Sequence, residues 1–261
     1  LVGGVFIVTP SKILSSMTDI PYLWWVGIVI AYYFIATIMP VDKIIGKIYP
    51  IFGAALIFMA LGMFYVIVFG DYHLPELTSV ENMHYNADNL PIIPTLFISI
   101  ACGAISGFHA TQSPLMARCM TNEKQARPIF FGAMISESII ALIWAAIAMA
   151  FFGGVEELNS WMHSNGNDAG LAVSTISVTM LGIFGSILAL LGVVAAPITS
   201  GDTAFRSARL IVADMLNYDQ RRILNRLLVS VPLFAIGIGI AFIDFDVIWR
   251  YFAWSNQTLS V

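Results

Sequence analysis

The chain has 261 residues, 59% of them hydrophobic and only 11% charged, whereas soluble domains run at roughly 45–50% apolar and about 25% charged. That balance excludes an ordinary soluble domain and predicts an all-α, polytopic protein held in a lipid bilayer. The net charge of −4 hides a segregation of charge along the chain, and no nucleic-acid partner is expected.

The chain opens at Leu1 without an initiator Met and stops at Val261 inside an apolar stretch. Both ends are therefore expected to be cut from a longer protein. Leu1–Val8 and the residues from Val247 onward read as partial spans. Between them, apolar runs of the length that crosses about 30 Å of hydrocarbon fall at residues 22–39, 51–70, 92–116, 129–152, 171–196 and 227–243. Six spans are predicted, joined as one integral membrane domain.

The intervening loops alternate in charge. Lys43 and Lys47 lie in loop 40–50, Arg118, Lys124 and Arg127 in loop 117–128, and Arg206, Arg209, Arg221, Arg222 and Arg226 in loop 197–226. Together these are ten of the twelve basic residues. Loops 71–91 and 153–170 contain no Lys or Arg, but do contain Asp71, Glu76, Glu81, Asp88, Glu156, Glu157 and Asp168. The positive-inside rule makes the first set cytoplasmic and the second outward. Tyr22, Trp24, Trp25, Tyr49, Tyr72, Trp161, Trp249 and Trp254 fall near predicted interfaces, where aromatic rings anchor spans. Within the last basic loop, the apolar spacing of Thr203–Leu216 suits a helix on the cytoplasmic membrane surface.

The third run is interrupted by Gly107-Phe108-His109-Ala110-Thr111-Gln112-Ser113-Pro114. A Gly- and Pro-bounded polar stretch inside hydrocarbon frees backbone groups, which only protein or a water-lined cavity can satisfy. Interrupted helices of this kind form solute sites in secondary transporters. Ser106, Gly107, His109, Thr111, Gln112 and Ser113 are therefore candidates for a solute path, with capping of an ordinary span as the other reading. Pro197-Ile198-Thr199-Ser200-Gly201-Asp202-Thr203 ends the fifth run with a similar composition. There Thr199, Ser200 or Asp202 either caps the following helix or serves a gate or ion site. Glu137 lies about two turns into the fourth span, where carboxylates are costly and usually functional. It is either a coupling carboxylate or a partner of Arg118, Arg127 or His109. Asn256 and Gln257 begin the last run and bind either a helix neighbour or a solute.

Cys102 and Cys119 lack metal-ligand spacing, and no hydrolytic triad, phosphate-cradling loop or two-His metal pair appears. No enzyme activity, metal or cofactor is expected.

Four stretches carry a family resemblance: Pro40–Pro50, Gly107–Pro114 with Met116-Ala117-Arg118-Cys119, Gly201–Leu210, and Phe252–Thr258. The chain resembles the carbon starvation protein A family along essentially its whole length. The resemblance implies a bacterial inner-membrane transporter associated with nutrient limitation, with peptides or pyruvate as solute and protons as the driving ion. It also implies distant kinship to the amino acid–polyamine–organocation superfamily, and that this chain is the middle and later part of a longer protein. A membrane sensor or signalling subunit, with its Arg-rich loop on a partner, is the reading from another class.

Overall fold

A computed structural model of the chain describes residues 1–38, 41–75, 82–83, 87, 90–103, 107–243 and 245–260. The described residues form eleven α-helices, with short 3-10 and π segments and no strand. In chain order they are α1 (Val2–Met17), α2 (Tyr22–Ile38), α3 (Val41–Phe69), α4 (Ile92–Gly103), α5 (Phe108–Cys119), α6 (Gly132–Phe152), α7 (Val155–Ser164), α8 (Ala169–Ala189), α9 (Ala195–Met215), α10 (Ile223–Ala241) and α11 (Phe245–Ser260). Four helical stretches are long and apolar enough to cross a membrane: Tyr49–Phe69, Glu123–Phe152, Ala169–Met215 and Ile223–Ala241. The chain is a helical membrane bundle.

Two apolar cores organise it. Ile7 of α1, Val29 and Tyr33 of α2, Phe205 of α9 and Phe234 of α10 are buried together. Met59 and Met63 of α3, Ile147 of α6 and Ile176 and Ala189 of α8 form the other core. The outer faces remain apolar: Trp24, Phe58, Leu142, Ile183 and Phe184 are each more than 60% exposed, a surface that suits lipid rather than water. α11 packs along α4 and the start of α5, and α5 also touches α9.

Helix bounds depart from the sequence reading in four places. The partial span at Leu1–Val8 extends to Met17, and Val5, Ile7, Val8, Pro10, Ser11, Ile13 and Leu14 are all buried. Pro10, Lys12 and three serines dilute its hydropathy without preventing the helix. Residues 41–50 belong to α3, because Pro50 is tolerated where neighbouring helices support the backbone. Loop 153–170 contains α7, whose first turn carries Glu156 and Glu157, a favourable placement against the positive end of a helix dipole. Asp168 then caps α8 by accepting from the N–H groups of Gly170 and Leu171 at 2.9 and 3.1 Å.

The fourth departure concerns residues 169–215, which are helical without a loop. At 1.5 Å per residue such a rod would be about 70 Å long, over twice the hydrocarbon thickness. Gly182 breaks it, with φ +60° and ψ −140°, a conformation open chiefly to glycine. Gly185 consequently meets the carbonyl of Ser177, which a straight helix would hold about 12 Å away. A π segment at Leu190–Val194 follows, so Pro197 enters α9 without a break. The predicted interruption at residues 197–203 lies inside α9. The predicted surface helix is likewise part of the bundle, with Phe205, Arg206, Ser207, Arg209 and Ala213 buried.

Candidate functional site

The interruption predicted at residues 107–114 is instead the start of α5. α4 ends at Gly103, Gly107 is the N-cap residue of α5, and residues 108–114 are helical, with Pro114 included. Gly107 is required by proximity. A Cβ there would collide with the backbone oxygen of Asn256 and lie 2.6 Å from Cβ of Leu259. The missing side chain thus lets α11 approach the start of α5, bringing together two motifs that are far apart in sequence.

Two residues further on, Nε2 of His109 lies 3.0 Å from Oε2 of Glu137 on α6, with side chains 30% and 42% exposed. Of the partners the sequence offered Glu137, the fold selects His109. With Nε2 within hydrogen-bond reach of the carboxylate oxygen, the half-exposed pair can pass a proton between its two groups.

The other α5 candidates behave differently. Ser113 donates its hydroxyl to the carbonyl of His109 at 2.7 Å, so that donor is used within its own helix. Gln112 leaves a buried Nε2 without a hydrogen-bond partner. Ser106 lies outside the described residues, and Thr111 belongs to α5 but its side chain is likewise outside them.

A second charged cluster forms between α9, α2 and α3. Arg206 donates to both oxygens of Asp202, one turn before it, at 3.1 and 3.0 Å. Tyr49 donates its hydroxyl to Oδ2 of the same carboxylate at 3.2 Å. Arg206 also reaches the carbonyl of Ala36, and Arg209 that of Thr37, each at 3.1 Å. These carbonyls belong to the last turn of α2, which ends at Ile38, and cations are favoured at that negative end of a helix. Asp202, Arg206 and Arg209 are 1%, 5% and 6% exposed.

Sequence reasoning found Asp202 but treated the two arginines as loop charges and Tyr49 as an interfacial anchor. The signal was the spacing: Asp202 and Arg206 stand four apart, the helical distance for an ion pair. Thr199 donates to the carbonyl of Ala196 at 2.7 Å, and Ser200 is half-buried within α9. Neither caps a new helix. On α11, Asn256 is fully buried with both carboxamide atoms unbonded, while Gln257 is half-buried.

Long apolar helices bundled around buried and half-buried charge pairs define a multi-pass helical membrane protein. The chain belongs to the family described as Carbon starvation protein CstA, whose profile matches residues 1–183. It is 47% identical over 152 residues to a Haemophilus influenzae protein described as an uncharacterized membrane protein, covering 51% of this chain and 40% of that one. It is 28% identical over 189 residues to the peptide transporter CstA of Helicobacter pylori, covering 67% of this chain and 26% of the relative. It is also 30% identical over 163 residues to the pyruvate/proton symporter BtsT of Escherichia coli, covering 59% of this chain and 21% of the relative. The chain therefore spans well under two thirds of the length of these relatives. No solved structure matches it.

Proposed function

We propose that the chain is part of a secondary transporter of the bacterial inner membrane that takes up a small nutrient, a short peptide or pyruvate, in symport with protons when carbon is scarce. The observation that carries this reading is the His109–Glu137 pair at 3.0 Å, two residues past the N-cap of α5. Relatives named as a peptide transporter and as a pyruvate/proton symporter support it at the level of the family.

In this reading the first turns of α5 border the solute path, with Gly107, His109 and Gln112 as described members. The His109–Glu137 pair carries the coupled proton: loaded, one proton lies between the carboxyl group and Nε2; released, a carboxylate faces a neutral imidazole. Alternating access then comes from one helix group rocking against the other. Asp202 is given a different role from Glu137. Arg206 and Tyr49 occupy its oxygens, so it acts as a latch between α9 and α3 rather than as a proton carrier. The sensor reading puts the stretch Arg206–Arg226 on a partner; Arg206 and Arg209 are buried away from such a surface, while Arg221 and Arg222 are exposed.

Uptake of labelled pyruvate and of a labelled dipeptide into proteoliposomes, with and without an inward proton gradient, tests the proposal. Saturable accumulation of one solute that requires the gradient is expected. Uptake of neither would sink transport, and unsaturable, gradient-independent flux would indicate a channel instead.

A further inference from the structure

The arginines at the start of α10 stand at the wrong end of their helix. Arg206 and Arg209 reach the carbonyls of Ala36 and Thr37 at the C-terminus of α2, where positive charge is favoured. α10 begins instead with Arg222 as its N-cap residue, carries no side-chain cap and has no acidic residue in its first turn. Exposed Arg221 precedes it, and half-buried Arg226 lies one turn in. The first N–H groups of a helix lack intrahelical acceptors and form its positive end. Three guanidinium groups therefore add to a positive pole that calls for an anion.

The loop that leads into α10 is folded back onto it. Asn225 donates its carboxamide to the carbonyl of Asp219, and Arg226 its Nε to that of Gln220, each at 2.7 Å. Oδ1 of Asp219 accepts from the N–H of Arg221 at 3.0 Å, so this carboxylate turns the loop instead of capping the helix. A separate observation lies behind the loop. Arg209 of α9 is 6% exposed with Nε unbonded, and Arg206 and Arg226 both repel it. Asp202 is already engaged by Arg206 and Tyr49. Gln220 also keeps both carboxamide atoms buried without partners. Uncompensated positive charge and unused donors thus extend inward from the helix start.

The surroundings narrow the anion. Ile223, Leu224 and Leu228 of α10, with Met215 and Leu216 at the end of α9, are each more than half exposed. An apolar surface beside arginines suits the boundary between acyl chains and headgroups, where basic clusters next to a span meet anionic lipid. At that depth the acceptors of matching charge are phosphodiester oxygens. Phosphate fits the N–H groups of a helix N-terminus, and the arginine fork matches its oxygens two at a time. The acyl chains would then lie along the apolar face of α9 and α10.

We infer that the start of α10 is a headgroup site for an anionic phospholipid, held by Arg221, Arg222, Arg226 and the uncapped N–H groups of the first turn. The site stands apart from the transport reading. A lipid bound there pins the loop between α9 and α10 to the membrane surface whether or not a solute is carried.

The test is lipid binding by the purified protein in detergent, read by native mass spectrometry and by thermal unfolding. Phosphatidylglycerol, phosphatidylcholine with the same acyl chains, and inorganic phosphate are added separately. Phosphatidylglycerol should bind at least about tenfold more tightly than phosphatidylcholine, a scale that two arginines reach at an anionic surface, and should raise the unfolding midpoint. Arg221→Gln combined with Arg222→Gln changes only exposed side chains and should remove most of that preference. Arg222→Asp is the sharper variant, because an N-cap carboxylate bonds the first N–H groups itself. It should raise the midpoint of the lipid-free protein and erase the gain from phosphatidylglycerol. Equal binding of the two lipids by the wild type, or an undiminished preference in the folded double variant, would overturn the inference. So would a full gain from phosphatidylglycerol in Arg222→Asp. Inorganic phosphate that matches phosphatidylglycerol at equal concentration would also overturn it, by showing an ion site that needs no lipid.

Discussion

Tyr33 donates its hydroxyl to the carbonyl of Phe6 at 2.8 Å, the carbonyl to which Pro10, four residues on, has no N–H to donate. In an α-helix that carbonyl would accept from the N–H four residues later, and proline has none. Tyr33 of α2 therefore repairs the ladder of α1 from outside, with its ring fully buried beside Phe205. Tyr33→Phe keeps the ring and removes the donor. The expected loss is about 0.5–1.5 kcal/mol, the net worth of one hydrogen bond, read as a lower midpoint in detergent unfolding. Adding Pro10→Ala supplies an N–H at position 10 and should restore part of the loss, a coupling that a double-mutant cycle measures. Unchanged stability in Tyr33→Phe would mean that the bond contributes nothing.

The Asp202–Arg206 pair has a sharper expected signature. Asp202→Leu leaves the Arg206 guanidinium buried without its carboxylate, a change that costs about 3–5 kcal/mol in buried pairs. Asp202→Leu with Arg206→Met should be less damaging than Asp202→Leu alone, because no orphan charge remains. The double variant still loses the bond to the Ala36 carbonyl, so full recovery is not expected. Thermal unfolding of the two variants side by side decides it, and equal stabilities would remove the pair as a latch.

The contrast between these two clusters explains what could be read from the sequence. Long apolar runs and the alternation of basic and acidic loops made the membrane bundle legible, since hydrocarbon thickness fixes span length. Gly107, His109, Glu137 and Asn256 were also legible as polar residues out of place. His109 was one of three partners offered for Glu137, and which of them it meets, like the approach of Gly107 to Asn256, depends on how α5 meets α6 and α11. The Arg206–Asp202 pair was misread because charges in a row look solvated until a neighbouring helix end, here that of α2, gives them carbonyls to bond. Gly182 was missed for a different reason: a lone glycine in an apolar run is ordinarily tolerated within a helix, and only the excess length of residues 169–215 betrays the turn.

Glu137→Gln should leave insertion intact and abolish the dependence of uptake on the pH gradient, since a carboxamide cannot carry the proton. His109→Ala should weaken solute affinity by about tenfold and remove the partner of Glu137. The measurement is initial uptake rate against external solute and pH for each variant. Retained coupling in Glu137→Gln would take this carboxylate out of the mechanism, and normal affinity in His109→Ala would leave the imidazole a cap at the start of α5.

Gly107→Ala tests the approach of α5 to α11. Its Cβ would be 3.0 Å from Cα of Asn256 and 2.6 Å from Cβ of Leu259, and backbone offers little room to yield. Overpacking of this kind costs about 1–3 kcal/mol, and the displacement of α11 should lower uptake more than the loss in stability alone explains. Gly53, around which a Cβ meets nothing within 4 Å, supplies the control: Gly53→Ala should be tolerated. Equal behaviour of the two variants would mean that the contact at Asn256 is not functional.

Orientation can be read with the exposed Cys119, which ends α5 next to Arg118 in a segment the charge pattern makes cytoplasmic. In a Cys102→Ser background, a membrane-impermeant maleimide should modify Cys119 rapidly in inverted vesicles and slowly in right-side-out ones. Ser160→Cys, on an exposed position of α7, should show the opposite preference once Cys119 is also replaced. The two sites are separated by the helical stretch Glu123–Phe152, so opposite sidedness requires that this stretch crosses the bilayer. Labelling of both from the same side would break the alternation of basic and acidic loops.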